Sequence, residues 1–172
     1  MRLHCYLVIS LMMVSAVSIG CTEPQSPQQS AGDWIGIEIP ASARVVESIN
    51  TYSSTALPIP GGLSDGYWHI AFEFTENEHR IFLDHITENM AGASEIKWNS
   101  MPIPEDLSRI KNLIEATRLR PNPIEAQHGF YLLIDRDRAH SFYDWSRRSS
   151  MNITFAIYDD KERKLYVFLE DT

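Results

Sequence analysis

Cysteine is almost missing from this chain: Cys5 and Cys21 are its only two, and both lie within the first 21 residues. The remainder has no thiol, so a disulfide is excluded there and stability has to come from burial. Basic residues are scarce too, 15 against 23 acidic ones, for a formal net charge of −8. That deficit argues against nucleic acid as a partner and against charge-driven adhesion to anionic headgroups, since both need Lys and Arg patches. The histidines His69, His79, His85, His128 and His140 form no H-x-H or H-E-x-x-H pair. His79 and His85 fall on different faces of any helix, so no metal site is expected. There is no phosphate-cradling loop and no dinucleotide-binding glycine pattern, and no cofactor is expected.

The first thing present is an apolar run. Arg2 and His4 precede Tyr6 to Gly20, YLVISLMMVSAVSIG, and Cys21 with a polar stretch follows it. The run is shorter than the ~20 residues of a bilayer-spanning helix, and its charged start and apolar middle are those of a secretory signal. It closes on Ser18-Ile19-Gly20-Cys21. These residues resemble the processing site of bacterial lipoproteins, with Ser18 standing where an aliphatic residue is usual. The resemblance implies that residues 1–20 are a signal peptide that is removed. It also implies that Cys21 carries acyl chains such as palmitate and that lipid holds the chain on a membrane of the cell envelope. Thr22 stands where that family's inner-membrane retention signal has aspartate, which implies the outer membrane, facing the periplasm, in a Gram-negative host. Removing residues 1–20 takes away Arg2 and no acid, leaving 14 basic and 23 acidic residues, a net charge of −9.

Beyond Cys21, Thr22 to Gly32 (TEPQSPQQSAG) has no aliphatic residue larger than alanine. Residues 21–32 therefore read as a lipidated cysteine and a flexible tether, and residues 33–172 as one domain. Ile35, Ile37 and Ile39 alternate with polar or small residues and predict a first strand from Trp34 to Ile39. Residues 41–52 are ambiguous, and the Pro- and Gly-rich residues 53–66 predict a loop of about fourteen residues. Tyr67 to Phe74 predicts a strand with Trp68, Ile70, Phe72 and Phe74 on a core face and His69 on a partly wet one. Thr75 and Glu78 form a capping box for a helix ending near Gly92. Pro104 to Arg120 predicts a second helix. Phe130 to Ile134 reads as a central strand, and Ile153 to Tyr158 with Leu165 to Leu169 as a terminal hairpin. The fold class is α+β: a mainly antiparallel sheet of about five strands with two principal helices.

Chemistry is sparse. Gly62-Leu-Ser-Asp-Gly66 matches the G-x-S-x-G pattern of hydrolase nucleophile elbows, but that mechanism needs a strand before the serine and a helix after it. Here a loop precedes Ser64 and a strand follows. His69 and Glu73 share a strand face, yet lie more than about 10 Å apart at ~3.3 Å per residue. The segment Arg136 to Arg148, RDRAHSFYDWSRR, is +2 in an acidic chain and is rich in interface-prone side chains: Arg136, Arg138, Phe142, Tyr143, Trp145, Arg147 and Arg148. Its bland alternative is an aromatic cluster folded back over the sheet. Two functions follow: a membrane-anchored, non-catalytic module that binds an envelope protein as an immunity-type inhibitor or accessory, or an envelope hydrolase using Ser64 or a His/carboxylate pair.

Overall fold

Tyr67 to Phe74 has the strongest alternation in the chain, and it forms the second strand of the sheet. A computed structural model describes residues 25–51, 66–93, 96–107, 110–112, 123, 126–136 and 152–171. Six antiparallel strands run in the order β1-β2-β6-β5-β4-β3. They are β1 (Arg44–Asn50), β2 (Gly66–Glu73), β3 (Trp98–Ser100), β4 (Gly129–Asp135), β5 (Ile153–Asp159) and β6 (Lys164–Asp171). The sheet thus has six strands rather than five. The terminal hairpin is present: Asp159 Oδ1 accepts from the amides of Lys161 and Glu162 (both 3.0 Å), and Arg163 takes the left-handed conformation that closes the turn.

Two helices lie on one face: α1 (Pro27–Ile35) and α2 (Glu76–Ala91). The capping box of α2 is as predicted. Thr75 Oγ1 accepts from the Glu78 amide, and the Glu78 carboxylate accepts from the Thr75 amide at 2.7 Å. Helix α1 overturns two expectations: residues 27–32 are not tether, and Trp34 to Ile39 is not a strand. Ser26 caps α1 by accepting from the Gln29 amide at 3.1 Å, and Pro27 opens its first turn. It is buried through small side chains, Ser30, Ala31 and Gly32, which is why hydrophobicity does not reveal it. A Cβ on Gly32 would stand 3.0 Å from the Ile37 carbonyl oxygen, so glycine lets the returning chain lie against the helix. Gly36, at φ +69°, ends α1 in a left-handed cap. Ile37 and Ile39 then return buried, so the isoleucine alternation reports burial correctly but straddles a helix end.

Strands β1 and β3 were not predicted. β1 is an edge whose side chains are mostly exposed, and a bulge between Val45 and Glu47 breaks its period of two. β3 has three residues. In the predicted second helix, Glu105–Leu107 is a 3-10 turn and residues 110–112 are helical, while residues 113–120 lie outside the described residues. Of the loop expected over 53–66, residues 53–65 lie outside them as well, and Gly66 opens β2.

Both faces of the sheet are covered. Under α1 and α2 sit Trp68, Ile70, Phe72, Phe74, Leu132, Val167 and Leu169, packed on Phe82 and Ile86. On the other face Ala71, Tyr131, Phe155, Tyr166 and Phe168 meet Ile103 and Ile110. The second face of β2 is dry at its middle, where His69 is 3% exposed and Ala71 1%, and wet at its ends, Tyr67 and Glu73. Phe130 and Ile134 of β4 are only partly buried.

The topology gives the sheet two unlike ends. At the hairpin end stand the turn after β5, the start of α2, Arg44, and the start of α1, where Gln28 Nε2 donates to the Ala43 carbonyl at 2.8 Å. At the far end stand Asn50, Gly66, Asp135, Ile153 and Asp171, with Trp34 near the end of α1 under the Arg136 guanidinium at 5.1 Å.

The cap of α2 makes a pH prediction. Ser42 donates to Glu78, and this bond holds the carboxyl below its ordinary value of 4.5 against the opposing push of burial, with Thr75 adding to the effect. A lowered folded pKa contributes stability above the unfolded pKa that is lost as pH falls through the folded value. Urea midpoints should therefore drop as pH falls below about 4.5. A Glu78→Gln variant should start less stable at neutral pH and lack this part of the acid dependence.

Candidate functional site

Two histidines in the described structure are built into polar contacts between elements distant in sequence. His69 on β2 and Glu170 on β6 project from the same face, one diagonal step apart, since His69 pairs with Phe168 and Tyr67 with Glu170. The His69 Nε2 to Glu170 Oε1 distance is 2.7 Å, and both side chains are buried. A carboxylate only accepts, so in the arrangement that pairs it with the imidazole Nε2 is the donor. Tyr67 stacks on the imidazole at 4.7 Å and Phe168 meets it edge-on at 5.1 Å. His69 Nδ1 is buried and has no hydrogen-bond partner among the described residues. A carboxylate-oriented imidazole with one nitrogen left over is chemically an acid/base pair, although it is held in an aromatic enclosure.

The second station lies at the hairpin end. His79 Nδ1 is 2.6 Å from the Tyr158 hydroxyl, and its Nε2 is 3.5 Å from Asp160. Burial raises the Tyr158 phenol far above its ordinary value, with Asp160 adding to the effect, so the hydroxyl stays protonated. Tyr166, buried on the opposite face, is pushed up to about 12 by burial and nearby acids. Neither phenol is a ready nucleophile at neutral pH.

Of the partner-surface residues expected from sequence, Arg136 is described and is tied inward. It donates to the Glu170 carbonyl at 2.8 Å and the Ile153 carbonyl at 3.2 Å, and forms an ion pair with Asp171. This arginine clamps the far end of the sheet through Nη2. Arg138, Phe142, Tyr143, Trp145, Arg147 and Arg148 lie outside the described residues, as do Ser64 and Cys21. The His69 and Glu73 pairing is not formed, since Glu73 pairs with Arg44. Sequence reasoning missed Glu170 because its partner is 101 residues away and meets it only once β6 lies beside β2. The available signal was a histidine inside an apolar strand.

Other features are less specific. A groove of about 600 Å³ runs between α1 and residues 36–41, with Gln28, Gln29, Asp33 and Glu38 at its rim. Among the described residues no three His, Cys, Asp or Glu side chains converge to hold a metal ion, and no helix is long and apolar enough to cross a membrane. Comparison with protein families, with curated proteins and with solved structures finds no match to the chain.

The buried pair makes a stability prediction. Removing one partner leaves the other buried without compensation, so His69→Leu or Glu170→Leu alone should each cost about 3–5 kcal/mol, whereas the double replacement should recover much of that loss. Chemical denaturation of the three variants measures the coupling. Additive losses would mean that the two groups do not depend on each other.

Proposed function

We propose that the chain is a lipid-anchored protein of the cell envelope, attached through Cys21, whose domain binds a protein partner without catalysing a reaction. The anchoring half rests on the sequence Ser18-Ile19-Gly20-Cys21. The observation that supports partner binding is the outer edge of β1. It is a seven-residue edge strand with β2 on one side, and it carries Val45 and Val46, 37% and 38% exposed. Edge strands offer a row of peptide groups to an incoming extended segment, and exposed apolar side chains beside that row give the added strand something to pack on. The opposite edge, β3, is only three residues long. An inhibitor or assembly accessory that captures a strand of its partner fits this geometry.

The test is Val45→Lys with Val46→Lys. Because both side chains are already exposed, the melting temperature should change little. Crosslinking in cells, followed by identification of the captured protein, should show a partner with the unaltered chain and lose it with the variant. Equal capture by both would place binding elsewhere, and no captured partner in either would sink the binding reading.

One observation favours the hydrolase alternative: the His69 and Glu170 pair with its unpartnered Nδ1. A serine-directed fluorophosphonate probe separates the readings. Binding alone leaves Ser64 unlabelled. Labelling at Ser64 that disappears in His69→Gln would establish an enzyme.

A further inference from the structure

We infer that the anchored domain stands upright on the hairpin end of its sheet, with the far end held out toward the aqueous compartment and Val45 and Val46, next to Arg44, on the membrane side of the β1 edge. The inference rests on the reading of Cys21 as the lipid attachment site, and it adds a defined membrane-facing surface.

The argument begins at Ser26. As the N-cap of α1 it is a fixed point of the fold, and only five peptide steps separate it from Cys21. Fully extended, five steps reach about 18 Å, and their typical reach is nearer 12 Å. Had residues 21–32 all been tether, the leash would have been more than twice as long. The start of α1 lies at the hairpin end, as the Gln28 contact to Ala43 shows, because Ala43 leads directly into Arg44, which is in register with Glu73 and through it with Lys164. The strands then run away from that end. β6 has eight residues, so the far end is about 23 Å further on at ~3.3 Å per residue. A leash shorter than the body it holds keeps the attached end nearer the membrane.

Charge agrees with this placement. The hairpin end is only mildly acidic: Glu73, Glu76, Glu78, Asp159, Asp160 and Glu162 stand against Arg44, Lys161, Arg163 and Lys164, with Arg44 paired to Glu73 and Arg163 to Glu76. The net charge of −9 after signal removal is therefore carried mostly by the rest of the chain, away from anionic headgroups that would repel it. With no excess of positive charge at this end, the surface rests near the bilayer without being drawn into it.

The test uses the full-length protein, purified with its lipid and reconstituted into zwitterionic phospholipid vesicles that contain a spin-labelled quencher lipid. Cys5 leaves with the signal and the Cys21 sulfur is alkylated, so a single introduced thiol takes a fluorophore uniquely. Lys161→Cys marks the hairpin end and Asn50→Cys the far end of β1, both exposed positions. Quenching should be several-fold stronger at position 161 than at 50. Insertion of about twelve Gly and Ser residues after Gln25, which raises the typical reach to roughly 20–25 Å, should shrink that difference. Equal or reversed quenching in protein whose mass shows acylation at Cys21 would overturn the orientation while leaving the anchor intact. Absence of acyl mass on Cys21 would overturn the anchor and this inference with it.

Discussion

The sheet depends on its last strand. β6 pairs with β2 over eight register positions and with β5 over seven, and among the described residues it joins the β1-β2 pair to the β5-β4-β3 half of the sheet. Leu165 to Leu169 are buried on both faces, which is why this strand reads as a continuous apolar run, as centrally placed strands do. The folded state therefore cannot close until the C-terminal residues arrive. Its defining contacts, such as Ile70 with Val167, span most of the domain, and folds dominated by pairings of that kind form slowly for their size.

This arrangement explains what was legible in the sequence. Strands β2, β4, β5 and β6 announce themselves as apolar runs bounded by polar or turn-forming residues, and α2 because its capping box is a local device written in Thr75 and Glu78. Helix α1 was hidden because it packs through Ser30, Ala31 and Gly32, where close approach replaces hydrophobic bulk. β1 was hidden because an edge strand with a bulge has neither burial nor a clean period. The histidine and carboxylate pair was legible only as a suspicion attached to His69. Its partner was sought along the same strand at Glu73, whereas sheet order places it across the seam at Glu170, and strand order is not encoded in any local pattern.

The same seam gives the buried pair a physical role independent of chemistry. A strand that is apolar on both faces defines its register poorly, because sliding it exchanges one buried aliphatic side chain for another. β6 is such a strand from Leu165 to Leu169. A slip of one residue would turn Glu170 to the face opposite His69 and leave two buried polar groups unsatisfied. The pair thus penalises the misregistered sheets that hydrophobicity alone tolerates. Arg136 adds to this at the far end, where it grips the carbonyls of Ile153 and Glu170 together and so indexes β5 against β6.

An exposed edge strand is also a hazard, since two copies can pair edge to edge. The bulge at Val45 to Glu47 blunts β1, and in the upright orientation inferred above the anchor works in the same direction. Self-pairing of identical edges about a two-fold axis is antiparallel, so one copy must be inverted relative to the other. Under that proposal, copies standing on the same membrane by the same short leash would all point their strands the same way, and that inversion would be denied to them. A partner arriving from solution is under no such constraint and can add to β1 in either direction. The anchor would then act as a filter on association, leaving the edge open to other proteins while keeping the chain from pairing with itself.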